Sequence, residues 1–213
     1  MTTLAAQQSE SHQPDPAELD YEGTYIPCNL CEAEAWEIVA TKDRHGKPLH
    51  TALCRECGLV YTNPMPTAAA IEQYYSKDYR AQYKGVTQPK FKHIYRAGRM
   101  ALERLERLKD VLKAGDTLVD VGSGGGEFVY LIHKLGLNVW GVEPNEGYAE
   151  YSRQEYDLPV QTGFWQTAEF TPGTVDVITA HHVVEHFDDP QAAIHTFAKW
   201  LKPGGYLIID VPN

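Results

Sequence analysis

Cysteine is scarce in this 213-residue chain, and its distribution excludes as much as it suggests. All four cysteines fall in two pairs, Cys28-Asn-Leu-Cys31 and Cys54-Arg-Glu-Cys57. None follows Cys57, so no disulfide framework spans the chain. Two C-x2-C knuckles point to zinc rather than disulfides in a reducing compartment. Long apolar runs are also missing. No stretch approaches the roughly 18 apolar residues of a membrane span, and "MTTLAAQQSESHQPDPAELD" has no signal-peptide core. A cytoplasmic protein without a membrane partner is expected. Positive charge is short as well: 19 Lys and Arg against 29 Asp and Glu leave a net charge of -10. A phosphate-backbone binder needs a basic face, so the balance disfavours nucleic acid.

The organisation reads in four parts. Residues 1–22 are a polar, acidic leader expected to be disordered. Residues 23–65 hold the cysteine knuckles and short β-prone runs, "AWEIVATKD" and "PLHTALC", around a turn at "RHGKP". Such a module is too small for a proper core, and a bound metal would supply the missing stability. Residues 66–114 read as a helical connector. Thr67 is a plausible N-cap for "AAAIEQYYSKDYRAQY". A second helix over about 91–113 follows from Ile94, Ala97, Ala101, Leu105, Leu108 and Leu112 at steps of three and four. The basic stretch Lys90, Lys92, His93, Arg96 and Arg99 is read as the solvated face of that helix. From residue 115 to 213, strands and helices alternate: "TLVDVG", "NVWGVEP", "LPVQTG", "TVDVITAHH" and "YLIIDVPN", with helices between. This pattern predicts an α/β fold, Rossmann-like, with an open, mostly parallel sheet and helices on both faces. The chain stops directly after the fifth strand, and the sheet is expected to be incomplete at that end.

The strongest chemical signal is "LVDVGSGGGEF", residues 118–128. A buried strand ends at Asp120, and Gly122, Gly124 and Gly126 let the backbone approach a ligand before a helix begins. A dinucleotide site wants G-x-G-x-x-G. Counted from Gly122 the sixth position is Glu127, whose charge sits badly beside a pyrophosphate. No G-K-[ST] follows, which excludes a P-loop. Glu143 closes the second strand, 21 residues after Gly122. A carboxylate there takes the two hydroxyls of a ribose. Together these describe a site for an adenosine group with a charged, phosphate-free tail.

That combination resembles the class I S-adenosylmethionine-dependent methyltransferases. Asp120-x-Gly122-x-Gly124-x-Gly126 matches their glycine motif, and Glu143 their acidic residue after strand two. "TVDVITAHHVVEHFDDP" and "LKPGGYLIIDVPN" match their strands four and five. The resemblance implies that Asp120, Gly122, Ser123, Gly124 and Gly126 serve the methionine portion of S-adenosyl-L-methionine. It implies Glu143 for the ribose, the Gly163–Phe164 segment for the adenine, and His181 as a flank of the cofactor.

"HHVVEH" reads from His182 as H-x-x-E-H, an inverted zinc-peptidase signature. That motif needs a helix and a third ligand, whereas here it falls at the exit of strand four, where open sheets bind ligands. By the resemblance, Glu185 and His186 face the acceptor, and the expected acid–base pair is His186 supported by Glu185. The bland alternative has His186 capping the next helix and Glu185 solvated. Quinone-pathway O-methyltransferases carry E-x-x-E-H at this place and are thought to hold a divalent metal with it. Here the first carboxylate is replaced by His182.

Cys28, Cys31, Cys54 and Cys57 close a tetrahedral set, so the zinc is expected to be structural. A zinc ribbon ending in "LCRECGLVYTNP", followed by Tyr74, Tyr75, Tyr79 and Tyr83, is similar to zinc-containing deoxysugar C-methyltransferases and to related methyltransferases without an assigned role. The resemblance therefore implies methyl transfer to a small acceptor such as a sugar nucleotide or glycan precursor. Alternatives are a zinc-ribbon RNA methyltransferase, a quinone-type O-methyltransferase, and a non-catalytic protein that keeps the cofactor fold.

Overall fold

The computed structural model describes residues 19, 21–67, 70 and 89–212. The chain divides into two units, 1–82 and 83–213.

The first unit is built on short strands: β1 (Gly23–Thr24), β2 (Trp36–Lys42), β3 (Pro48–Cys54), β4 (Val60–Thr62) and β5 (Met65–Pro66). β2, β3 and β4 form an antiparallel sheet, and β1 pairs with β5. The turn predicted at "RHGKP" joins β2 to β3. Asp43 holds it, its Oδ1 accepting the N–H groups of His45 and Lys47, each at 2.8 Å. Alternation along β3 turns His50, Ala52 and Cys54 inward. The buried core here is small: Cys28, Ala52, Cys54 and Tyr61. Thr67 Oγ1 accepts the N–H of Ala70 at 3.2 Å, the bond expected of an N-cap. The remainder of that predicted helix lies outside the described residues, as do Tyr74, Tyr75, Tyr79 and Tyr83.

The second unit opens with α1 (Phe91–Leu108) and continues β6 (Thr117–Val121), α2 (Glu127–Lys134), β7 (Asn138–Glu143), α3 (Glu146–Tyr156), β8 (Val160–Thr162), β9 (Val175–His181), α4 (Pro190–Trp200) and β10 (Leu201–Asp210). α1 ends five residues short of the expected position, passing into a turn in which the Leu112 N–H still reaches the Leu108 carbonyl at 3.0 Å. Its basic residues Lys90, Lys92, His93, Arg96 and Arg99 are all exposed, as the solvated-face reading requires. β10 begins earlier than expected, because Leu201 already pairs with Val175 and the "KPGG" turn is absorbed as an irregularity before Tyr206 resumes pairing with Val177.

The five strands form one parallel sheet in the order β10-β9-β6-β7-β8. Alternation explains the two cores. Leu118 and Val177 face α1, α2 and α3 together with Phe128, Val129 and Ile132. Val119, Val121 and Ile178 face the other way, onto Ala193, Phe197 and Trp200 of α4. Each such fully buried large side chain contributes on the order of 1.5–3 kcal/mol. The chain winds outward from β6 through β7 to β8, then returns to lay β9 on the other side of β6. This reversal opens a crevice at the carboxyl ends of β6 and β9, the place where open α/β sheets bind ligands. No helix among the described residues is long and apolar enough to cross a membrane.

Candidate functional site

The glycine turn lies at that crevice. After β6 the chain doubles over the end of β7, where the Val142 carbonyl accepts the N–H groups of Gly122 at 2.8 Å and Ser123 at 3.1 Å. Gly122 has φ +76°, and a Cβ there would lie 2.2 Å from Val183 Cγ1. Glycine is therefore required twice over, by backbone conformation and by the segment packed above it. Gly124 differs. It too is left-handed, at φ +57°, but nothing lies within 4 Å of a Cβ built on it. The turn is thus closed at Gly122 and open at Gly124, and the open place is a cradle where a ligand can meet backbone.

Glu143, at the end of β7, stands beside this opening. Its Oε2 accepts the Gly124 N–H and its Oε1 the Asn145 N–H, both at 2.8 Å. Only 7% of the residue is exposed. Burial raises its carboxyl above the usual range, while the Asn145 and Gly124 amides oppose that rise. The carboxylate is fixed before any ligand arrives, and each oxygen keeps a lone pair for a further donor. Asn145 also caps α3, its Oδ1 accepting the Tyr148 N–H at 3.0 Å.

Asp120 sits deeper, 3% exposed, and the Thr179 hydroxyl of β9 donates to its Oδ1 at 2.7 Å. Burial pushes its carboxyl up to about 6, against the pull of that hydroxyl and of Arg104. Asp120 braces the strand pair below the turn. Thr179 and Arg104 were not singled out from the sequence. A charged residue inside a buried strand needs a partner, but only strand register names Thr179 as that partner.

The sequence-predicted histidines gather at the end of β9. His181 is buried, its ring edge-on to Phe128 at 5.4 Å, and neither ring nitrogen has a hydrogen-bond partner. Burial, with Arg104 nearby, pushes it down to about 4, so its imidazole is neutral at ordinary pH. His182 has φ +56°, and its N–H bonds the Asp210 carbonyl of β10 at 2.7 Å. Val184–His186 form one 3-10 turn. Glu185 Oε1 lies 3.8 Å from His182 Nδ1 and 3.9 Å from His186 Nε2, with its side chain 24% exposed. Glu185 thus stands between two imidazoles, beyond hydrogen-bond length of either. His186 does not cap α4, whose N-cap is Asp189, accepting the Ala192 N–H at 2.8 Å. Asp210 adds a carboxylate that motif spacing did not reveal, 3.7 Å from His182 Nε2 and 3.8 Å from His181 Nδ1.

At the end of β8, Gly163 leads to Phe164, an aromatic ring left 63% exposed. Its carbonyl accepts the Thr167 and Ala168 N–H groups, which fixes the backbone under the ring. Ser123 is buried, with its hydroxyl beside Gly141, where an added Cβ would lie 2.7 Å from Oγ. Its N–H bonds the Val142 carbonyl, and its hydroxyl has no hydrogen-bond partner among the described residues.

In the first unit, the four cysteines converge. Their Sγ atoms all lie within 4.8 Å of one another, with Cys28–Cys57 and Cys31–Cys54 each at 3.6 Å. None is in a disulfide. A tetrahedral ion with zinc–sulfur bonds of about 2.3 Å has sulfur–sulfur edges of about 3.8 Å. The donor set and its spacing suit that ion.

Residues 91–213, more than half of the chain, match the family model described as a methyltransferase domain. Over 141 residues the chain is 27% identical to phosphoethanolamine N-methyltransferase 1 of Triticum aestivum, covering 61% of this chain and 28% of that one. Over 106 residues it is 33% identical to the ubiquinone biosynthesis O-methyltransferase of Pseudomonas paraeruginosa, covering 47% of this chain and 46% of that one. The solved structure of Haemonchus contortus phosphoethanolamine N-methyltransferase 1 superposes with a TM-score of 0.55 at 14% identity, over 67% of this chain and 32% of that one, which shows a shared fold. The chain spans between 28% and 51% of the length of these and similar curated relatives.

Proposed function

The chain belongs to the methyltransferase-domain family, and from that premise we propose that it is a class I S-adenosylmethionine-dependent methyltransferase acting on a small-molecule acceptor. The observation that carries this reading is the Glu143 carboxylate bonded to the Gly124 N–H beside the open cradle at Gly124. A fixed, buried carboxylate next to a glycine with open space above it suits a ribose diol joined to a charged tail. The Gly124 turn would hold the methionine portion, Glu143 the ribose hydroxyls, and Phe164 would cover the adenine. His181, neutral and with both ring nitrogens unpartnered, is suited to accept or donate one hydrogen bond at the flank of the cofactor. The bound cofactor supplies an electrophilic methyl on a sulfonium, which needs no metal for activation.

The remaining work is alignment, exclusion of water and removal of a proton. His186, with Glu185 Oε1 at 3.9 Å from its Nε2, would take the proton of a hydroxyl or carbon acid. An amine acceptor needs no such base. Cys28, Cys31, Cys54 and Cys57 would hold a structural zinc, with all four positions taken by protein and none left for catalysis. A zinc ribbon before this domain supports a sugar nucleotide or glycan precursor as acceptor. Quinone precursors are the second reading, favoured by Glu185-His186 and by similarity to the ubiquinone-pathway enzymes. The net charge of -10 weighs against RNA.

The test is calorimetric titration of the zinc-loaded chain with S-adenosylhomocysteine, beside Glu143→Ala. Micromolar binding that is lost in the variant supports the reading. Binding that the variant retains unchanged removes the ribose assignment, and no binding by the unmutated chain removes the cofactor.

A further inference from the structure

His186, Glu185, His182 and Asp210 stand in a row of alternating imidazole and carboxylate. The gaps along it are 3.9 Å from His186 Nε2 to Glu185 Oε1, 3.8 Å from that oxygen to His182 Nδ1, and 3.7 Å from His182 Nε2 to Asp210 Oδ2. Each imidazole of the interior is met on both sides: His182 has a carboxylate opposite each of its ring nitrogens. Its backbone is in the left-handed region, uncommon for a residue other than glycine, and is held there by the 2.7 Å bond from its N–H to the Asp210 carbonyl. Strain of this kind at a ligand-binding edge persists only where the surroundings enforce it. Here it turns the His182 ring between the 3-10 turn and β10.

We propose that these four groups form a single proton-holding unit that takes up the proton released by the acceptor and passes it from the crevice to the end of β10. The proposal rests on the methyltransferase reading above and on a hydroxyl or carbon-acid acceptor. When the acceptor's O–H or C–H bond breaks, its electron pair stays on the atom that receives the methyl group. The proton goes to Nδ1 of His186, and the Nε2 proton of His186 moves to Glu185. Glu185 passes a proton to Nδ1 of His182, whose Nε2 proton goes to Asp210 and then to water. One proton enters and one leaves; His186 and His182 end as their Nδ1–H tautomers, and exchange of their exposed rings with water resets them. All three gaps exceed hydrogen-bond length, so each link closes through a bridging water or a small side-chain shift on ligand binding.

Other charged groups face the row. His181 Nδ1 lies 3.8 Å from the same Asp210 oxygen, but being buried and pushed down to about 4 it stays neutral and does not compete for the proton. Arg104 of α1 acts on both Asp210 and His181, and Arg107 on His181. The end of the row at Asp210 is thus flanked by positive charge from α1. The side chains of His186, His182 and Asp210 are 63%, 39% and 35% exposed, so both ends of the row reach water.

The experiment is an NMR pH titration of the imidazole signals in the whole zinc-loaded chain, compared with His182→Asn, Glu185→Gln and Asp210→Asn. Asparagine at 182 tolerates the left-handed backbone, and the other two variants keep size and backbone. The expected result is that Asp210→Asn changes the His182 titration curve, and that His182→Asn changes the His186 curve although the two rings do not touch. Superimposable His186 curves with and without His182, in variants whose amide spectra show an intact fold, overturn the proposal. Titrating the same samples with S-adenosylhomocysteine keeps the two readings apart. Cofactor binding without coupling removes the proton unit alone, and coupling without cofactor binding removes the methyltransferase reading.

Discussion

Glu143 Oε2 and the Gly124 N–H meet at 2.8 Å, tying the end of β7 to the open crest of the glycine turn. One carboxylate therefore both shapes the turn and lines the proposed ribose site. Removing it should do two things together. Glu143→Ala frees the Gly124 and Asn145 amides and deletes the diol acceptor. Hydrogen bonds to a charged group contribute on the order of 1.5–3 kcal/mol each. S-adenosylhomocysteine affinity should fall at least about tenfold by calorimetry, with a lower melting temperature. Glu143→Gln keeps one acceptor oxygen and should fall between. Equal affinity in all three proteins would dissociate Glu143 from the ligand.

Gly122 and Gly124 should separate folding from binding. A methyl at Gly122 meets Val183 at 2.2 Å, whereas one at Gly124 meets nothing within 4 Å. Gly122→Ala should lower stability and disturb the His182–His186 segment. Gly124→Ala should cost only the left-handed backbone penalty of roughly 1–2 kcal/mol while filling the cradle. The expected outcome is a large melting shift with the first and a large loss of S-adenosylhomocysteine binding with the second. A Gly124→Ala protein that binds normally would show that the cradle is not used.

Asp120 and His181 predict opposite pH slopes. Asp120 is raised from 3.8 to about 6 in the folded state by burial. The unfolded chain ionises first, so folding stability falls as pH rises from about 4 to about 6 and the loss persists above that, about 3 kcal/mol in full. Asp120→Asn should therefore gain on the unmutated protein as pH rises through that window, read from melting temperatures at pH 4, 5 and 7. A constant difference would contradict the burial argument.

His181 is lowered from 6.5 to about 4, mainly by burial. Below pH 6.5 the unfolded chain takes up the proton first, so stability falls as pH drops from about 6.5 to about 4. His181→Gln removes that slope. The two effects oppose each other in the unmutated protein, which is why single variants are needed. If His181→Gln melts in parallel with the unmutated chain across that window, the ring is less desolvated than its 9% exposure indicates.

The four thiols should bind one zinc per chain by elemental analysis. Structural zinc contributes on the order of 10 kcal/mol or more to folding in small modules, far beyond what the four-residue core of the first unit supplies. Chelation, or Cys28→Ser, should unfold residues 23–65 as judged by protease sensitivity. Zinc-free protein with an unchanged digestion pattern would remove the structural role.

The order of the elements was legible in the sequence because periodicity and turn residues are local. "PLHTALC" alternates, "TLVDVG" is continuously apolar before glycines, and Thr67 stands where capping chemistry wants it. The Asp120–glycine–Glu143 site was legible for the same reason. Its residues lie at the carboxyl ends of neighbouring parallel strands, and the spacing of one βαβ unit brings them together. The tertiary structure decided what spacing does not encode. Thr179 reaches Asp120 across 59 positions through the β6–β9 register. Asp210 reaches His182 because β10 lies beside β9, Asp210 pairs with His181 at the strand ends, and His182 follows directly. Arg104 bears on Asp120 and Asp210 because α1 packs on that face of the sheet. The sequence by itself pointed to the glycine turn, Glu143 and the histidine segment as groups of the crevice. Strand register and helix packing, which bring together residues far apart in the chain, decided which of them are partners.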